Sequence, residues 1–93
     1  MKWLTGYMSP MADSNRLALT APGQEIPFHC GQRLELLLDG CWQRGWVEYS
    51  DSLGWYFTDA HRNLRLLVGD EVRVWDGREW PRAAQDRDFE RER

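Results

Sequence analysis

Residues 31–42 read Gly31-Gln-Arg-Leu-Glu-Leu-Leu-Leu-Asp-Gly-Cys-Trp42. Apolar and polar residues alternate along this stretch, which is typical of a β-strand with one buried face. The pair Asp39-Gly40 favours a type I′ turn, because both residues tolerate positive φ angles. A two-residue turn fixes the register of the returning strand. We therefore predict a β-hairpin in which residues 33–38 pair with residues 41–49.

The same pattern recurs near the other end of the chain, where residues 69–80 read Gly69-Asp-Glu-Val-Arg-Val-Trp-Asp-Gly-Arg-Glu-Trp80. The pair Asp76-Gly77 predicts a second two-residue hairpin. Its register would place Arg73 opposite Trp80 and Trp75 opposite Arg78.

The register of the first hairpin sorts its side chains onto two faces. It places Leu37 opposite Trp42, Glu35 opposite Arg44 and Arg33 opposite Trp46, and each of these pairs is physically favourable. The other face carries the side chains predicted to form the core, namely Leu34, Leu36, Leu38, Val47 and Tyr49. Tryptophan and arginine side chains are therefore predicted on the face opposite the core.

Other segments add short strands to the two hairpins. Residues 16–20 and the aromatic run at 55–58 favour strands, and residues 64–68 fit a short strand or one helical turn. Residues 21–27 are bounded by prolines and predict a loop.

Five to six short antiparallel strands with tight turns are typical of a mainly β fold, and we predict an SH3-like small β-barrel. An OB-type barrel is the alternative. The barrel domain is assigned to residues 16–81. Residues 1–15 lack a sustained period and predict a flexible lead-in, while residues 82–93 form a charged tail that is either a short helix or solvated chain.

From residue 16 to residue 75 the order of motifs resembles a small, uncharacterised family of bacterial domains of unknown function, often found on mobile elements. The matching motifs are Phe28-His-Cys-Gly31, Leu34-Glu-Leu36, Gly40 with Trp42, Gly45 followed by Val47-Glu-Tyr49, Trp55-Tyr56 and Val72-Arg-Val74. The resemblance implies a cytoplasmic accessory protein, and it carries information about the fold rather than about the function.

Composition and motif spacing argue against several function classes. The formal net charge of −3 disfavours direct binding of duplex DNA through neutralised phosphates. The two cysteines and two histidines lack the spacing of a metal site. No nucleophile is placed beside a base, and no glycine-rich phosphate loop is present. We therefore expect no metal, no cofactor, no catalytic residue and no enzymatic activity.

The sequence also predicts a cytoplasmic location. No apolar stretch approaches the roughly 20 residues of a membrane span, and the first residues lack the long apolar region of a signal peptide.

The candidate binding residues lie on the face opposite the core. Tryptophan and arginine are enriched at binding hot spots, and the predicted site consists of Arg33, Leu37, Trp42, Arg44, Trp46, Arg73, Trp75 and Trp80. The leading hypothesis is a module that binds another protein, and its narrower form is a mobile-element accessory that occludes a host or defence nucleoprotein complex. The alternative is a single-stranded nucleic-acid binder that stacks bases on the tryptophans. A self-associating structural domain is the third class. Equally open is a purely structural role, in which each tryptophan packs against an arginine and closes off the barrel.

Overall fold

The computed structural model describes residues 2–11, 16–59 and 61–82. Within these ranges the chain forms eight strands, which are β1 (Trp3–Pro10), β2 (Leu17–Ala21), β3 (Gln24–Pro27), β4 (Arg33–Leu38), β5 (Cys41–Ser50), β6 (Gly54–Thr58), β7 (Asn63–Arg65) and β8 (Glu71–Trp75). All belong to one antiparallel sheet with the order β3-β2-β1-β8-β4-β5-β6-β7. The described residues contain no helix, and so none that could span a membrane. The mainly β fold is confirmed.

The first predicted hairpin is confirmed in its register. Leu38 pairs with Cys41, Glu35 pairs with Arg44 and Arg33 pairs with Trp46. The turn residues Asp39 and Gly40 have φ angles of 50° and 80°, as a type I′ turn requires.

The second predicted hairpin is wrong. Strand β8 ends at Trp75, and neither Asp76 nor Gly77 is among the described residues with positive φ. The physical reason is that β8 already pairs with β1 on one side and with β4 on the other. Arg73 is paired on both sides, with Thr5 and with Glu35, and cannot also take Trp80 as a cross-strand partner. The register that would place Trp75 opposite Arg78 is lost with that pair.

The prediction of a flexible lead-in is corrected for residues 3–10, which form β1 in the middle of the sheet. Met8 pairs with Leu19 of β2, and Leu4 pairs with Val74 of β8. The strand was missed because Gly6 stands where the alternation calls for an apolar side chain. Residues 1 and 12–15 of the predicted lead-in and residues 83–93 of the predicted tail lie outside the described residues.

Eight strands replace the five to six predicted. The two strands that were not predicted are β1 and β3, and β3 lies within the predicted loop at 21–27. The segment at 64–68, which fitted a short strand or a helical turn, contributes its first two residues to strand β7. In the described part of the chain, β3 and β7 stand at opposite ends of the strand order and do not pair with each other. Closure into an SH3-like barrel is therefore not confirmed.

The core lies on one face of this sheet, which we call the inner face. Its largest fully buried side chains include Phe28, Phe57, Met8, Leu19, Leu34, Val47 and Val72. Tyr49, predicted to join them, is 51% exposed because it lies near the end of β5, beyond the core.

Two glycines lie next to the points at which a strand changes its pairing partner. Strand β1 changes partner from β8 to β2 at Tyr7, next to Gly6, and β5 changes partner from β4 to β6 at Trp46, next to Gly45. A Cβ atom at Gly45 would press on the carbonyl oxygen of Thr58 and the ring of Phe57. Such close approach is what a glycine within a strand permits.

Candidate functional site

The face of the sheet opposite the core, which we call the outer face, carries a cluster of arginine and tryptophan side chains around one buried carboxylate. Strands β4, β5 and β8 lie side by side, and alternate residues of each point to this face. We call the cluster the arginine–tryptophan layer, and its members are Trp3, Arg33, Glu35, Trp42, Arg44, Arg73, Trp75 and Trp80.

Glu35 is the centre of the layer, and only 2% of its surface is exposed. Its Oε2 accepts a hydrogen bond of 2.9 Å from Nε of Arg44. Its Oε1 accepts bonds of 2.9 Å and 2.6 Å from Nε and Nη2 of Arg73. A buried carboxylate is costly unless it is paired and hydrogen-bonded, so Glu35 holds both guanidinium groups in place.

The guanidinium of Arg73 also lies on two indole rings. Its Cζ is 3.9 Å from the ring centroid of Trp3 and 4.3 Å from that of Trp42. Cation–π contacts of this kind contribute about 0.5–1 kcal/mol each at exposed sites and more when desolvated. Arg73 therefore joins strands β1, β8, β4 and β5 through one side chain.

Trp80 extends the layer from the segment that follows β8. Cζ of Arg33 and of Arg44 lie 4.8 Å and 5.3 Å from its ring centroid. Trp3 packs edge to face against both Trp80, at 5.3 Å, and Trp75, at 5.2 Å. Arg33 was predicted to pair with Trp46, and although their backbones are cross-strand partners, its guanidinium lies over Trp80 instead.

The structure brings six of the eight predicted residues into the layer. The other two, Leu37 and Trp46, lie on the same face and are half-buried. Leu37 is the cross-strand partner of Trp42, and the indole Nε1 of Trp46 donates a hydrogen bond of 3.1 Å to Oε2 of Glu48.

The predicted binding site did not include two members of the layer, Trp3 and Glu35. Trp3 was assigned to the lead-in, where no pattern tied it to the sheet. Glu35 was predicted to pair with Arg44, but its second partner is 38 residues away along the chain. A lone acid in the middle of a leucine-rich strand was the signal of a buried ion pair.

The layer is a preformed surface rather than a reactive site. The four tryptophans of the layer are half-buried, and each contacts a neighbouring ring or a guanidinium group. The one carboxylate within the layer is committed to two arginines. Among the described residues no group of three or more His, Cys, Asp or Glu side chains could hold a metal ion. Chemically, the layer can offer aromatic surface and guanidinium donors in fixed positions.

A protein-family model described as "Domain of unknown function (DUF5348)" matches residues 6–80. The matched range extends from β1 to Trp80, and so includes nearly all of the sheet and all of the layer except Trp3. No curated protein and no solved structure matches the chain.

Proposed function

The chain belongs to this family of domains of unknown function, and we propose that it is a non-enzymatic module that binds another protein through its outer face. The binding surface is formed by the arginine–tryptophan layer together with Leu37 and Trp46. Residues of these types carry a large share of the binding energy at protein interfaces.

The observation that carries the proposal is that the layer is fixed before any partner arrives. Binding normally costs free energy for immobilising side chains, about 0.5–1.5 kcal/mol for each flexible side chain. Here Glu35 bonds to Arg44 and Arg73, and Trp42 and Trp80 lie against guanidinium groups. Most of these side chains are therefore already immobilised in the folded chain, and binding a partner loses little further side-chain freedom.

The charge of the layer and the net charge of the chain each indicate what kind of partner would bind. At contact, three guanidinium groups and one carboxylate leave the layer positively charged, which favours carboxylates on the contacting segment of the partner. At longer range, the net charge of −3 favours approach to a basic protein. A nucleic-acid-binding protein fits the long-range condition.

The narrower form of the proposal is a bacterial mobile-element accessory that works in the cytoplasm by occluding a host or defence nucleoprotein complex. Its support is the resemblance in motif order and the acidic balance of the chain. Self-association through the outer face is a competing outcome that the oligomeric state of the purified protein would reveal.

Binding of single-stranded nucleic acid is the alternative function. Bases would have to stack on tryptophan faces, but guanidinium groups already lie on Trp3, Trp42 and Trp80. The arginines that would meet phosphates are partly committed to Glu35. These contacts favour a protein partner over a nucleic acid.

The test is affinity capture of a partner from the native host, followed by calorimetry with the purified partner. Trp46→Ala removes an indole at the margin of the layer, and we expect its affinity to fall at least about thirtyfold, equivalent to about 2 kcal/mol. His61→Ala, in an exposed loop, is the matched control and is expected to keep wild-type affinity. Circular dichroism establishes that both variants are folded.

Two results would contradict the proposal. If Trp46→Ala bound the partner as tightly as the wild type does, the outer face would not be the binding site. Salt-sensitive micromolar binding of a labelled oligothymidine would instead support the nucleic-acid alternative.

A further inference from the structure

A second line of side chains crosses the outer face beside the arginine–tryptophan layer, and it consists of Glu71, Tyr7, Thr20 and Glu25. Each of these residues is the cross-strand partner of the next, in the registers of β8 with β1, β1 with β2 and β2 with β3. Direct partners share one face of a sheet. Glu71 stands two positions before Arg73 of the layer in β8, which places the whole line on the outer face. We call it the Tyr7 row.

Tyr7 is the aromatic member of the row, and 56% of its surface is exposed. It belongs to β1, which lies in the middle of the sheet and pairs with β8 and β2 at this residue. Its chain neighbours Gly6 and Met8 are buried on the inner face. The backbone at Tyr7 is therefore held on both sides, while its ring is open to solvent.

The two carboxylates of the row have no cation beside them. Within the described part of the chain, neither Glu71 nor Glu25 takes part in an ion pair or a side-chain hydrogen bond. The basic residue closest to Glu71 in β8 is Arg73, whose guanidinium is bound to Glu35. Residues 12–15, between β1 and β2, include no lysine or arginine. The outer face is thus divided into a positively charged layer and a negatively charged row.

The chemistry of the row is complementary to guanidinium groups. A carboxylate accepts forked hydrogen bonds from an arginine, and a tyrosine ring attracts a cation placed over its face. The Cβ atoms of direct partners such as Glu71 and Tyr7 lie about 5 Å apart, so one guanidinium can contact both side chains. Glu25 lies three strand spacings from Glu71, or about 14 Å, which is the length of about four residues of extended chain.

We propose that the Tyr7 row is a docking surface for a basic segment of a partner protein, with two arginines four positions apart. One guanidinium lies between the carboxylate of Glu71 and the ring of Tyr7, and the other pairs with Glu25. The row shares no residue with the proposed binding surface. Its test needs no partner from the host, so the row and the layer can each fail without the other.

The test is a titration of the full-length ¹⁵N-labelled protein followed by two-dimensional NMR. The probe is the pentapeptide acetyl-Arg-Gly-Ser-Gly-Arg-amide, and its control has citrulline in place of both arginines, which keeps the shape and removes the charge. We expect saturable shifts for the amides of Tyr7, Thr20, Glu25 and Glu71. The dissociation constant of the citrulline peptide is expected to be at least threefold higher than that of the arginine peptide.

Matched variants separate the row from the general charge of the chain. Tyr7→Leu is expected to weaken binding of the arginine peptide at least threefold, whereas Tyr49→Leu, at a tyrosine that is 51% exposed elsewhere, leaves it unchanged. Glu71→Gln is expected to weaken binding by a similar factor. Asp51→Asn removes the same charge from an exposed turn and is expected to bind as the wild type does.

The proposal is overturned if the arginine peptide gives no saturable shift along the row, if the citrulline peptide binds within threefold of it, or if each variant behaves like its control. A dimer in sedimentation equilibrium that Glu71→Gln converts to a monomer would also overturn it, because the occupant of the row would then be a second copy of this chain. The comparison of the two peptides uses the wild-type protein, so it holds even where a variant fails to fold.

Discussion

At the scale of single residues, Glu35 decides how the outer face is organised. It lies between two leucines that belong to the core, yet it is as buried as they are. Its two arginine partners come from strands on either side of β4. One carboxylate thus orients the guanidinium groups that in turn fix the tryptophan rings.

Replacing Glu35 by glutamine should lower the free energy of unfolding by about 2 kcal/mol. Removing one partner of a fully buried ion pair costs about 3–5 kcal/mol, but Arg44 and Arg73 are 18% and 22% exposed and water compensates in part. Urea denaturation measures the change. Glu25→Gln on the exposed strand β3 is the matched control, and equal stability of the two variants would show that Glu35 does not hold the layer.

Gly45 is a second residue whose identity the fold requires. A Cβ atom there would lie 2.5 Å from Cε2 of Phe57 and would also press on the backbone of Thr58. Overpacking of this kind costs about 1–3 kcal/mol, so Gly45→Ala should lower the melting temperature by several degrees.

Gly23 provides the contrast, since a Cβ atom there would meet nothing within 4 Å and its φ of +75° is one that asparagine tolerates. Gly23→Asn is expected to melt close to wild type. If Gly45→Ala had the same melting temperature as Gly23→Asn, this result would contradict the close approach of β5 and β6.

At the scale of elements, two copies of one local signal gave one correct and one wrong prediction. The Asp39-Gly40 turn forms its hairpin because β4 has an edge free for β5, whereas β8 is paired on both sides. Turn chemistry is local and could be predicted from the sequence. Whether β8 has a free edge depends on β1, which is more than 60 residues away along the chain. Strand β1 was not recognised in the sequence because Gly6 interrupts its alternation.

The difference between local patterns and the pairing of distant strands also explains which parts of the site could be predicted. Alternation correctly placed Trp42 and Arg44 on the outer face, because the hairpin register is a local property. The contacts of Arg73 with Trp3, Trp42 and Glu35 depend on strand order, which no pattern in the sequence specified.

Strand β8 supplies a prediction at this scale. Val72 is fully buried between β1 and β4, whereas its neighbour Glu71 is only half-buried. Val72→Asp should unfold the protein because an unpaired buried carboxylate costs several kcal/mol. Glu71→Ala should remain folded. Thermal melts followed by circular dichroism decide the matter, and an unchanged melting temperature for Val72→Asp would show that β8 does not face the core as described.

At the scale of the whole molecule, stability comes from one continuous sheet packed on one core. Cys30 and Cys41 are free thiols, and the part of the chain that the structure describes holds no cluster of His, Cys, Asp or Glu suited to a metal ion. A chelator and a reductant should therefore each leave the melting temperature unchanged in differential scanning calorimetry. A fall of several degrees with either reagent would reveal a stabilising metal ion or disulfide.

The outer face as the binding surface is the central claim, and hydroxyl-radical footprinting with the captured partner tests it most directly. Oxidation of each tryptophan and of Tyr49 is measured by mass spectrometry in the free chain and in the complex. We predict that Trp42, Trp46 and Trp80 become protected in the complex, while Tyr49 of β5 and Trp55 of β6, which are not part of the proposed binding surface, keep the oxidation rates of the free chain. Protection of Tyr49 and Trp55 with no change at Trp42, Trp46 and Trp80 would contradict the account.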